Sequence, residues 1–159
     1  MSFYDWLLAL HVIAAFALVA ALTVFWSVAV AARGVERPAD SVRYFRITKP
    51  ANVAIIVGTV GTLILGIWLA IDANAYQVWD GWVIASIVLW AVSAETGRRG
   101  GLNYAEAEKQ AKRLVAEGRN DPSPELVALL RNRNAALLNV LSTAAILLIL
   151  VDMLWKPGA

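Results

Sequence analysis

A single histidine, two methionines and no cysteine are all that this chain of 159 residues offers to metal or redox chemistry. His11 sits in an apolar run near the N-terminus, and Met153 follows Asp152 near the C-terminus. Imidazole and thioether are soft donors that suit copper, a carboxylate suits harder cations, and His with Met is also an axial pair for haem. The spacing forms no metal motif, so His11, Met153 and Asp152 become ligands only if the fold brings them together. One histidine cannot ligate both faces of a haem within a monomer, which leaves Met153, a second protomer or an open face. An ionisable group in an apolar span is costly and marks a candidate site, whereas the plainer alternative is a neutral imidazole joining two helices by a hydrogen bond. The lack of cysteine removes disulfides, thiolate metal sites and cysteine nucleophiles together. With no glycine-rich phosphate loop and no Ser/His/Asp set, and nothing that favours nucleic acid, the residues favour a ligand-binding or accessory role over an enzyme.

The elements that must position these groups follow from charge. Trp6 to Ala32, Ala51 to Ile71, Gly81 to Ala94 and Asn134 to Val151 carry no formal charge when His11 is neutral, and a spanning helix needs about 20 apolar residues. The pattern predicts an all-α membrane protein: one domain over residues 1–159, a four-helix transmembrane bundle with spans of about 5–32, 50–72, 78–97 and 132–155. The third run is short, so its helix borrows Val78 and Trp79 at one end and Glu95 to Gly97 at the other. Arg33, Arg37, Arg43, Arg46 and Lys49 fill the first connection and Arg98 through Arg133 the third, while Lys156 alone lies on the opposite side. Positive loops stay in the cytoplasm, so both termini and the Asp72-to-Asp80 connection are expected outside it. Asp5, Asp72, Asp80 and Asp152 then mark the outer helix ends, and Trp6, Trp68, Trp79, Trp82 and Trp155 form an aromatic belt there. The first run is long enough to span and lacks a basic leader, so it is expected to remain attached.

Within the spans, His11 shares a stripe with Ala14, Ala15, Leu18, Leu22 and Phe25. Gly58, Thr62 and Gly66 recur every four residues with Gly61 beside them, a small-residue face for packing inside the chain or for a homodimer. Pro50 and Asn52 are expected to open the second helix. Glu95, three and four residues before Arg98 and Arg99, reads as an ion pair at the inner boundary. The connection 98–131 is predicted to hold a short cytoplasmic helix over about 103–117, capped by Asn103 with Glu106 and ended at Gly118. Its apolar stripe is Tyr104, Ala107, Ala111, Leu114 and Val115. Ser123 before Pro124 is expected to cap a helix that continues through the fourth span.

The opening Tyr4-Asp5-Trp6-Leu7-Leu8-Ala9-Leu10-His11-Val12-Ile13, the glycine-bearing second span and the closing Asp152-Met153-Leu154-Trp155-Lys156-Pro157-Gly158 resemble an uncharacterised bacterial family of integral membrane proteins, related to the copper-resistance D-like superfamily. Such relatives include copper-uptake proteins and a haem-pathway protoporphyrinogen oxidase. The resemblance implies a multi-pass protein of the bacterial cytoplasmic membrane and nominates His11 for copper or a tetrapyrrole; the haem-pathway enzymes carry further histidines that this chain lacks. Beside the lipid bilayer, a homodimer or larger membrane complex is the expected partner. Two rival roles are a non-catalytic scaffold or assembly subunit and an oligomeric small-solute or ion transporter.

Overall fold

The computed structural model describes residues 2–72, 77 and 79–156, with Asp72 described by its backbone only. Most of the expected Asp72-to-Asp80 connection, Val78 included, and the closing Pro157 and Gly158 lie outside the described residues. Everything described is helix or short turn: α1 (Phe3–Ala32), α2 (Pro38–Asp72), α3 (Gly81–Ala116), α4 (Pro124–Leu130) and α5 (Arg133–Trp155). Three stretches are long and apolar enough to cross a membrane, namely Phe3–Ala32, Pro38–Ile71 and Pro124–Trp155. The fourth long helix, α3, is apolar only over its first half.

α1 starts in a reciprocal capping box: the Asp5 amide donates to Ser2 Oγ at 3.2 Å and the Ser2 amide to Asp5 Oδ2 at 2.6 Å. It packs antiparallel on α2, and α3 packs in the same way on α5. A lesser seam between α2 and α3 joins the two pairs, and α1 makes no comparable seam with α5. What ties those two is Trp26, whose Nε1 donates to Thr143 Oγ1 at 2.9 Å.

Both main seams depend on side chains that are missing. A Cβ at Gly58 would lie 3.0 Å from Leu18 Cβ, and one at Gly61 would lie 3.9 Å from Ala14 Cβ. The small-residue face of α2 is therefore filled by α1 of the same chain. Between α3 and α5 the approach is closer, since a Cβ at Gly100 would stand 2.6 Å from Asn139 Oδ1 and one at Gly97 would stand 2.9 Å from Ser142 Oγ. Beside these glycines Ser93 and Ser142 exchange bonds, each hydroxyl donating to the other's carbonyl, at 3.1 and 2.9 Å. Small residues let two backbones approach, and the hydroxyls then satisfy each other where no water competes.

Away from the termini the helices build a cap with its own small core. Ala107, Ala111 and Leu114 of α3 bury against Leu126 and Leu130 of α4, with Val42 and Phe45 of α2 and Leu129 packed beside them. This core accounts for three departures from the sequence expectations. α2 begins at Pro38 and runs through Pro50; Pro50 denies Arg46 a helical hydrogen bond, but Val42 and Phe45 hold the preceding turns in the cap. The helix expected over about 103–117 is the distal half of α3, which passes Gly97, Gly100 and Gly101 without a break, with Ser142 and Asn139 of α5 filling the space above Gly97 and Gly100. Asn103 therefore caps nothing; its Nδ2 donates to Leu129 O at 2.8 Å, and its Oδ1 accepts from Asn132 Nδ2 at 3.0 Å. Finally, the helix begun at Ser123 and Pro124 stops at Leu130, and a new one starts with Asn132 as its cap, the Oδ1 accepting from the Ala135 amide at 3.1 Å.

Gly118 ends α3 at φ 71°. The Gly118 amide bonds Val115 O at 3.0 Å and the Arg119 amide bonds Leu114 O at 2.9 Å. Those two bonds form a Schellman motif, whose left-handed position favours glycine. Two long-range contacts anchor the loops: Arg131 donates to Arg33 O at 3.0 Å and to Glu36 at 3.3 Å, and Asn120 Oδ1 accepts from the Ala39 amide at 3.0 Å.

Candidate functional site

Near the start of α1 and the end of α2, an imidazole lies between the two helices. His11 is only 8% exposed. Its ring is accommodated by Gly66 opposite, where a Cβ would lie 3.1 Å from His11 Cε1 and 3.6 Å from Nδ1. The same point lies 3.9 Å from the terminal methyl of Met153. α5 thus delivers Met153 to the histidine of α1 across the glycine of α2, although the first and third of these residues are far apart in sequence. The Thr62 backbone lies close enough to influence the ring, yet His11 Nδ1 has no hydrogen-bond partner among the described residues.

Two spaces meet at this ring. A cavity of about 80 Å³ extends toward the middle of the molecule past Thr59, Ser86, Trp90 and Ser93. A groove of about 600 Å³ is lined by residues of α1 and α5, by Gly66, Leu69 and Ala70 of α2, and by Lys156. His11, Ala15, Gly66, Trp82 and Met153 line both. Lys156 stands over Trp82, its Nζ 5.7 Å from the ring centre, so this tryptophan is turned inward and departs from the aromatic belt expected of it. Trp6, Trp68, Trp79 and Trp155 are exposed, as a belt requires.

The third candidate ligand, Asp152, is not with the other two. Its Oδ2 accepts from Ser86 Oγ at 2.6 Å, which binds α5 to α3. No group of three or more His, Cys, Asp or Glu side chains converges among the described residues. His11 and Met153 do line the same spaces, and imidazole and thioether are both soft donor types.

Of the remaining sequence candidates, Gly58, Gly61 and Thr62 belong to the α1–α2 seam, where Thr62 Oγ1 donates to Gly58 O at 2.8 Å. Glu95 accepts both nitrogens of a bidentate Arg98 at 2.9 Å and Arg99 Nε at 2.6 Å, well away from the histidine. Sequence reasoning overlooked Ser86 and the Ser93, Gly97, Gly100 series. The signal was present, because Ser93, Gly97 and Gly100 are spaced as one helical face, but the charges at Glu95, Arg98 and Arg99 between them obscured it.

Long apolar helices around a histidine-lined cavity define a multi-pass integral membrane protein. The chain belongs to the family described as "Predicted integral membrane protein (DUF2269)", whose model matches residues 5–157. No curated protein and no solved structure matches it.

Proposed function

We propose that this protein binds a small ligand at His11 within the membrane and performs no chemistry on it. The observation that carries the reading is the unpartnered Nδ1 of a buried imidazole at the meeting point of a cavity and a groove. A buried polar atom left without a partner costs about 1–3 kcal/mol, a cost that a ligand bonded there removes. Nothing around the ring supplies a second acid or base, since Asp152 is engaged by Ser86. Among the ligands that the copper-resistance D-like resemblance implies, copper(I) agrees with the donor types of His11 and Met153.

In this reading the first half of α3 is the third of four spans, and the α2–α3–α4 cap is cytoplasmic. The basic residues at that end support it; in the same reading the His11 site lies in the outer half of a bacterial cytoplasmic membrane, with both termini outside. The experiment is purification in mild detergent of the wild type and of His11→Ala, followed by metal analysis, absorbance and solvent extraction. Wild type should retain a ligand that the variant loses, or acquire one equivalent of supplied copper(I) that the variant does not. Identical content and identical uptake in both proteins would sink the proposal.

A further inference from the structure

Past the end of α1 farther from His11, residues of the α1–α2 connection and of early α2 line a pocket of about 500 Å³ that the histidine site does not use. Arg37, Asp40 and Arg43 border it at three-residue intervals, a spacing at which opposite charges on a helix can pair. They do not pair: neither arginine forms an ion pair with Asp40 or with any other acid among the described residues. Glu36, the second acid in the lining, is taken by Arg131. Along α3 the pattern is the reverse, since Glu95 holds Arg98 and Arg99, Glu108 holds Lys112, and Glu117 holds Arg113. The pocket also includes Ile47, which is 52% exposed. Four residues further on, about 6 Å along the helix, the charge-free run Ala51 to Ile71 begins.

We infer that this pocket holds the headgroup of a membrane lipid with a single negative charge, a phosphodiester that bears hydroxyls and no ammonium. The open charges set the class. With Glu36 and Arg131 cancelling each other, two guanidinium groups face one carboxylate, and one phosphodiester neutralises the excess. The planar guanidinium matches phosphate oxygens with paired donors. Asp40, once ionised, only accepts hydrogen bonds, which suits hydroxyls on the headgroup. An ammonium would satisfy Asp40 as well, but a headgroup with both signs is neutral and leaves the excess positive charge in place. Ile47 and the apolar run after it favour a lipid over a soluble phosphate ester, because they put a surface for acyl chains next to the arginines. In the proposed orientation the pocket lies at the cytoplasmic leaflet, where basic segments are drawn to anionic headgroups.

The test is native mass spectrometry of the full chain released from detergent micelles, titrated with phosphatidylglycerol or phosphatidylethanolamine, with glycerol phosphate as a soluble competitor. Wild type should hold one phosphatidylglycerol about tenfold more tightly than phosphatidylethanolamine, since hydrogen bonds between charged groups are the strong ones. Arg37→Gln combined with Arg43→Gln should abolish that preference. Lys112→Gln combined with Arg113→Gln removes the same charge from paired positions and should leave the preference intact. Equal retention of the two lipids by wild type would overturn the inference, as would an equal loss in both double variants. Displacement of the lipid by glycerol phosphate at matching concentration would also overturn it, by making the occupant a soluble ester.

Discussion

Adding one methyl group at Gly100 would put a carbon 2.6 Å from Asn139 Oδ1 and 2.8 Å from its Cγ, whereas a methyl at the neighbouring Gly101 meets nothing within 4 Å. The pair separates packing from propensity. Gly101→Ala should stabilise the protein by roughly 0.5–1 kcal/mol, the ordinary gain of alanine over glycine in a helix. Gly100→Ala has the same gain and must also push α5 away, and overpacking of that kind costs about 1–3 kcal/mol. Its net effect should be destabilising. Thermal unfolding of both variants in detergent, followed by circular dichroism, checks the signs; equal midpoints would mean that α3 and α5 are not in close contact at this level. At Gly66 the same substitution is predicted to disturb the His11 ring before it disturbs the fold, because the nearest atom, at 3.1 Å, is the end of a side chain. Gly66→Ala should therefore lose ligand retention at nearly unchanged stability.

At the level of elements, the cap is the part that behaves as a soluble protein. Leu126 is fully buried there, and Leu126→Ala should cost about 2–5 kcal/mol in the cap. Limited proteolysis should then cut in the Asn120–Ser123 segment much faster than in wild type, with the helices around His11 still protected. Unchanged cleavage would show that the cap is held by its loops and not by its core. Near the C-terminal end of α3, Arg113 donates to Glu117 at 2.9 Å and holds its carboxyl below the usual carboxylate range. A depressed folded-state pKa stabilises above the unfolded value, and that contribution is lost as pH falls through the folded value. Glu117→Gln should lower the melting midpoint slightly at neutral pH and leave it unchanged in acid, a small effect because the pair is exposed. A difference that grows on acidification would contradict the sign. These elements also show what was legible in advance. The cap stripe of Ala107, Ala111 and Leu114, the Ser123 cap and the Gly118 stop were readable because each depends on local spacing. The continuity of α3 was not, because glycines and charges signal a break in isolation, and only contact with α5 overrides them.

For the molecule as a whole, apolar runs and charge counts were enough to read a helical membrane protein, since both are set by the solvent and not by contacts. They could bring neither Met153 to His11 nor keep Asp152 from it, because that outcome depends on which helices pair. The orientation proposed from the basic residues has its own test. A reporter active only in the cytoplasm should work when fused after Gly34, and one active only outside it should work when fused at Ala159. The opposite pattern would invert the placement of the histidine site. Uninterrupted helix over the 36 residues of α3 amounts to about 54 Å of rod at 1.5 Å per residue, against a hydrocarbon core of about 30 Å. In the proposed arrangement, with the first half of α3 as a span, the helix is longer than the hydrocarbon core is thick and continues into the cap without a joint. The helix that Leu126 and Leu130 pack against in the cap is thus the same one that carries Ser93, Trp90 and Ser86 along the cavity, so cap and cavity share a single unbroken element.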